Sequence, residues 1–179
     1  MFNDLQIQAT KRLKELSNRV TGVTPTKTGV IKFSISEVLN TPDKLINTVA
    51  ARSRKGLPYI YALLISESNG LDAIRESFLT AKTKEKNGRA YARLNKEASY
   101  CFYVGSSYDF SKRYKEHIGC GAKATYALQL RHWAQDFPSL QLTLAYAEYH
   151  QGTEQDLLQA LEDALWEKLK PMFGRQGSK

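Results

Sequence analysis

The sequence predicts a single α/β (α+β) domain with appendages, and three observations carry that expectation. The chain has 179 residues, enough to bury one proper core but too few for two full-sized ones. Two strongly apolar runs containing Tyr and Ile, at residues 58–65 and 100–105, have the composition of strands. Around them lie segments whose apolar residues recur three and four apart, the period of helices that bury one face.

Taken in order, residues 4–20 read as a helix with Leu5, Ala9, Leu13, Leu16 and Val20 on one stripe, and such a stripe must pack somewhere. A polar linker carrying Pro25 follows. Residues 30–35 then alternate as a short strand, and Thr41-Pro42-Asp43 opens a helix towards Ala51. Residues 1–55 therefore form an N-terminal extension to a main domain at 56–179. Between the two best strands, residues 66–99 form an insertion with its own purpose or its own disorder, far longer than a hairpin turn requires. It is rich in Arg75, Lys82, Lys84, Lys86, Arg89, Arg93 and Lys96. A helix is expected over 109–117, with Ser107 or Asp109 as its cap, and another over 123–135. Pro138 marks a break, residues 140–149 a strand, and residues 154–169 a closing helix.

Composition narrows function only coarsely. Hydrophobic residues make up 42% of the chain, and no apolar run approaches the roughly 20 residues of a bilayer span, so no membrane segment is expected. Met1-Phe2-Asn3-Asp4-Leu5 has neither a basic nor an apolar signal region, which points to the cytoplasm. Cys101 and Cys120, without a CxxC pair or a His at zinc spacing, argue against a disulfide framework or structural metal. A net charge of +8 and a pI of about 9.4 favour a polyanionic partner through long-range attraction and counterion release. Charge alone does not identify one.

Three local features bear on chemistry. Leu158, Leu161, Leu165 and Leu169 form the stripe of the last helix, and Glu162 falls within it. A carboxylate there needs a cation, a metal or strong donors, or else snorkels at the helix margin. Arg113 and His117, four apart on one helix face, bring a bidentate fork for phosphate and a group that titrates near neutrality. The same pair also reads as a solvated basic face shared with Lys112 and Lys115. Tyr59, Tyr61 and Tyr103 lie on strands, where aromatics commonly serve the core.

Jointly these features resemble the GIY-YIG nuclease signature. Tyr59-Ile60-Tyr61 looks like the GIY tripeptide with its Gly replaced, and Tyr103-Val104-Gly105 looks like YIG. Arg113 stands ten residues after Tyr103, and His117 follows one turn on, as in a His-bearing branch that includes restriction enzymes. Glu162 precedes Pro171 by nine residues, matching the family's metal-binding Glu and helix-ending Pro. The resemblance covers residues 58–174. It departs at Tyr59, in the distance between the first two motifs, and at Gly174, where many relatives have Asn.

The resemblance implies a small domain with a three-stranded, mainly antiparallel sheet flanked by helices. It implies a metal-dependent endonuclease acting on double-stranded DNA, with Tyr61, Tyr103, Arg113, His117 and Glu162 as catalytic residues. Glu162 would hold one divalent cation, Mg²⁺ (or Mn²⁺). Tyr61 would be the base towards water, helped by His117 accepting a proton directly or through Tyr61, while Tyr103 positions the water or the phosphate. Arg113 would clamp the scissile phosphate. Lys82, Lys84, Lys86, Arg89 and Arg93 of the insertion, with Lys112 and Lys115, are expected on DNA. A short chain with only an extension and an insertion suits a restriction or host-defence enzyme, and cutting both strands at a symmetric site suits a homodimer. The alternatives are a structure-specific repair or recombination nuclease, and a DNA-binding module without cleavage.

Overall fold

Four apolar segments pair into one antiparallel sheet in the order β1-β4-β2-β3: β1 (Lys27–Ser34), β2 (Tyr59–Ile65), β3 (Cys101–Ser107) and β4 (Gln141–Glu148). The computed structural model describes residues 4–66, 70–85 and 88–177. The α+β class is the one the sequence predicts. The strand expected in the N-terminal extension adds a fourth to the three expected in the core, running along β4 from Lys27 opposite Glu148 to Ser34 opposite Gln141. β2 lies between β4 and β3 and is covered on both faces, so nearly all its residues are buried. That double cover explains a continuous apolar run in place of alternation.

Six helices accompany the sheet: α1 (Leu5–Thr21), α2 (Ile35–Asn40), α3 (Pro42–Arg52), α4 (Leu71–Thr80), α5 (Phe110–His117) and α6 (Gln155–Leu169). Helices α2 to α5 contribute to the main core on the sheet face that carries Tyr59, Tyr61 and Leu63. On the opposite face, Leu158, Leu161 and Leu165 of α6 cover Ile60, Ala62 and Val104. Helix α2 was not expected, although its signal is local. Ser34 Oγ accepts from the Glu37 amide at 3.2 Å and Glu37 returns the bond to the Ser34 amide at 2.8 Å, a capping box.

The insertion at 66–99 joins the core. Phe78 of α4 packs at ring-centroid distances of 4.4 Å from Phe173, 5.4 Å from Trp133 and 5.7 Å from Tyr91. Its returning segment makes isolated bridges from Tyr91 to Ala127 and from Leu94 to Phe173. The helix expected over 123–135 is absent; only two single 3₁₀ turns form, Leu130–His132 and Ala134–Asp136. Tertiary bonds take its backbone groups. Ala90 and Ala92 amides donate to Lys123 O (2.7 Å) and Ala127 O (2.9 Å), the Leu128 amide donates to a histidine, and Gln129 sits at φ 57°. A left-handed residue with its neighbours' amides engaged elsewhere cannot continue an α-helical ladder.

Helix α1 buries none of its residues fully. Leu16 and Val20 are half-buried, Leu5 and Leu13 are exposed, and Arg19 pairs with Glu154 at 2.7 Å. Among the described residues no helix is long and apolar enough to cross a membrane.

Candidate active site

β3 is an edge strand of the sheet, and its first residues are covered by the C-terminal tail. The Met172 and Phe173 amides donate to Cys101 O (2.7 Å) and Phe102 O (2.9 Å). Further along, a cavity of about 230 Å³ opens against Tyr103, Gly105, Ser106, Arg113 and Glu162. β2 and β3 place Tyr61 opposite Gly105, so the Tyr61 and Tyr103 rings stack with centroids 6.2 Å apart. Glycine is required between them: a Cβ on Gly105 would stand 2.8 Å from both Tyr61 Oη and Tyr103 Cε1. Gly174 closes the other side of Tyr103. Its φ is +105° and a Cβ there would lie 2.9 Å from Tyr103 Cε2, which accounts for a glycine at this position.

Helix α5 brings His117 and Arg113 to the same two tyrosines. His117 is fully buried, with Nε2 3.0 Å from Tyr61 Oη and Nδ1 accepting the Leu128 amide at 3.3 Å. Burial, then the neighbouring Arg113 charge, holds its pKa well below the ordinary value. A neutral ring has one proton, and the Leu128 N–H requires Nδ1 to be without it. The proton therefore sits on Nε2 and is donated to Tyr61. This tautomer departs from the expectation that His117 accepts the Tyr61 proton. Burial raises the Tyr61 pKa well above that of a free phenol, against the opposing pull of Arg113.

Arg113 is anchored on three sides: Nη1 donates to Glu116 Oε2 at 2.9 Å, and Nη2 donates to Tyr103 Oη at 2.9 Å and to Tyr126 O at 3.0 Å. These contacts hold the guanidinium plane still beside the cavity. Burial opposes its charge, but Tyr61, Tyr103 and Glu116 outweigh burial and raise its pKa.

Glu162 reaches the cavity from α6. It is 6% exposed and accepts from Ser106 Oγ at 2.5 Å, but among the described residues no Lys or Arg forms an ion pair with it. Burial raises its pKa, with the Ser106 hydrogen bond opposing. Among the described residues no cluster of three or more His, Cys, Asp or Glu forms a metal cage.

All five expected catalytic residues thus belong to one connected neighbourhood. Tyr61 and Tyr103 come from adjacent strands, Arg113 and His117 from α5, and Glu162 from the helix across the sheet. Tyr59 stands apart. Its fully buried hydroxyl donates to Glu148, which also pairs with Arg54, and burial followed by the Glu148 bond pushes its pKa up to about 12.

The expected DNA-binding residues are more dispersed. Lys112 and Lys115 are exposed on α5, and Arg93 is exposed on the insertion. Lys82 directs its ammonium to Ala92 O at 2.8 Å, and Arg89 donates to Gln129 Oε1 at 3.1 Å. The side chain of Lys84 and the whole of Lys86 lie outside the described residues.

Ser106 and Glu116 escaped the sequence reading. Glu116 had a signal, because it follows Arg113 by three on one helix. Ser106 is two residues beyond Val104, hence on the same α6-facing side of β3. Compared with models of protein families, with curated proteins and with solved structures, the chain finds no match.

Proposed function

We propose that this protein is a metal-dependent endonuclease of the GIY-YIG type, hydrolysing phosphodiester bonds of double-stranded DNA as a restriction or host-defence enzyme. One observation carries the reading. Tyr103, Arg113 and Glu162 line one small cavity at a sheet edge, and the buried Tyr61 and His117 pack directly behind Tyr103, the five being drawn from four elements spread over a hundred residues of sequence.

The donor set fits Mg²⁺ or Mn²⁺. A nearly buried carboxylate that is held by Ser106 and, among the described residues, has no ion pair leaves its charge only partly compensated, by Ser106 and the field of Arg113. Mg²⁺ is satisfied by one or two carboxylates together with waters and substrate phosphate oxygens. When bound, the ion would supply Lewis-acid stabilisation of charge on the phosphate and the leaving oxygen.

The chain's own residues supply the rest. Arg113, pre-oriented by Glu116 and Tyr103, meets the scissile phosphate with charge already fixed in place, so little reorganisation is needed as charge develops. Tyr61 is the base towards the attacking water. Its oxygen accepts from His117 Nε2–H and lies in the field of Arg113, and both neighbours work against the burial that raises its pKa. Tyr103, tied to Arg113, keeps the guanidinium and the first tyrosine in register.

Incubation of the purified protein with plasmid DNA and Mg²⁺, followed by sequencing of fragment ends, tests the reading. Discrete ends at one repeated motif are expected. Cutting confined to branched or damaged DNA would replace restriction by repair, and intact plasmid under all metals would reject the enzyme.

A further inference from the structure

A second cavity, of about 680 Å³, lies between residues 93–97 of the insertion and the end of α6 with its tail. Arg93, Lys96, Lys170 and Arg175 line it, against Glu97 and Glu167. Glu167 is engaged by Gln176 Nε2 at 3.0 Å, so the lining is net cationic with one acid already occupied. Trp166 also lines it, and its buried Nε1 has no hydrogen-bond partner among the described residues.

The walls are built rather than draped. Arg75 donates to the carbonyls of Asn95, Lys96 and Glu97 at 2.8–3.0 Å. Asn95 donates through its amide and its side chain to Met172 O and Pro171 O, both at 2.8 Å, and the Gly174 amide donates to Arg93 O at 2.8 Å. The loop bearing Arg93 and Lys96 is therefore fixed to the tail bearing Arg175.

This cleft and the candidate active site draw on the same helix. Leu158, Gln159 and Glu162 of α6 line the smaller cavity, and Trp166, Glu167 and Lys170 line the larger. Glu162 and Trp166 are four apart on one helix face, about 6 Å along its axis. Gly174, next to Arg175 in the tail, lies against the Tyr103 ring that lines the smaller cavity. Arg175 and Arg93 are also close enough to Lys82 for their charges to add to burial in lowering its pKa.

We propose that the cleft formed by Arg93, Lys96, Lys170 and Arg175 binds the phosphate backbone of the DNA strand that leads into the Glu162 cavity. The inference rests on the nuclease reading for its substrate but not for its geometry. Cations carried at spaced positions on a braced loop and tail match a ligand with repeated negative charge.

The test is the salt dependence of binding to a labelled DNA duplex in EDTA, where cleavage is silent, read by fluorescence anisotropy. Lys96 and Arg175 are exposed, so the double variant Lys96→Gln/Arg175→Gln folds as the parent does. With two phosphate contacts gone, the slope of log K against log salt should become shallower by roughly 1.8, and the affinity lost between about 50 and 200 mM salt should shrink roughly tenfold. The charge-matched control Lys11→Ala/Lys14→Ala, on exposed α1, should keep the parental slope. An unchanged slope in the cleft variant, or an equal drop in the control, overturns the cleft while leaving the nuclease reading intact. Binding with the expected slope change but no Mg²⁺-dependent cutting supports the cleft and rejects the nuclease. A parent protein that binds no DNA rejects both.

Discussion

Replacing Gly105 by Ala strikes the geometry on which the site depends without removing any of its chemical groups. The backbone at Gly105 is ordinary extended strand, so Ala meets no φ penalty there, and the effect is purely steric. The new methyl would stand 2.8 Å from Tyr61 Oη and from Tyr103 Cε1, where ordinary contact begins at 3.4 Å. Each ring must retreat by about 0.6 Å. Tyr61 has little freedom to do so, because Phe110 lies 5.4 Å away, the His117 ring 5.8 Å away, and Oη is bonded to Nε2. Overpacking of this kind costs about 1–3 kcal/mol, or a fall in Tm of roughly 2–12 °C for a chain of this size. Displacement of a base approaching 1 Å lowers rate by up to about 100-fold. Single-turnover cleavage of a labelled duplex, paired with a thermal melt, reads both. A rate within threefold of the parent would refute the claim that the Tyr61–Tyr103 spacing sets catalysis.

Arg113→Lys should lose about 100-fold in single-turnover rate although the charge is kept, since one ammonium cannot serve Glu116, Tyr103 and a phosphate in one plane; activity within a few-fold of the parent would make Arg113 a surface charge. The tautomer of His117 is read directly by ¹⁵N NMR of its imidazole, with the proton expected on Nε2; a signal pattern with the proton on Nδ1 would break the Leu128–His117–Tyr61 chain. His117 also sets an acid limit on stability. Its folded pKa is depressed, so below about pH 6.5 the unfolded chain takes up a proton that the folded one does not. Stability should fall as pH drops through that point, by up to about 1.4 kcal/mol per pH unit. His117→Gln should flatten that slope in urea titrations at pH 5 to 7, and parallel slopes would count against a buried neutral ring.

The elements with a strong period or strong composition were legible in the sequence. Strands β2, β3 and β4 and helices α1, α3, α5 and α6 lie within a few residues of their expected bounds, because each either alternates, stripes or is apolar throughout. The segment at 123–135 was not legible, since its helical composition is overridden by the Leu128 amide bonding His117 and by bonds from Ala90 and Ala92, partners that sequence separation hides. The insertion was read by its charge, but Ile74, Phe78, Ala81 and Tyr91 put its apolar side into the main core. In the site, the order Tyr, Tyr, Arg, His, Glu was visible as a pattern. The direction of the His117 proton was not, because it follows from a backbone amide eleven residues away. Nor was the pairing of Ser106 with Glu162, which depends on how α6 crosses β3.

The central claim is tested most directly by Glu162→Gln beside the parent, each incubated with double-stranded DNA across a Mg²⁺ titration while binding is followed in EDTA. Gln keeps the shape and an acceptor for Ser106 but removes the charge that a cation requires. The account predicts Mg²⁺-dependent cutting by the parent, none by the variant, and DNA affinity within about threefold between the two, with the variant more stable at neutral pH because a carboxylate whose charge burial disfavours is gone. Retained Mg²⁺-dependent cutting by Glu162→Gln, or its absence from the parent, would contradict it.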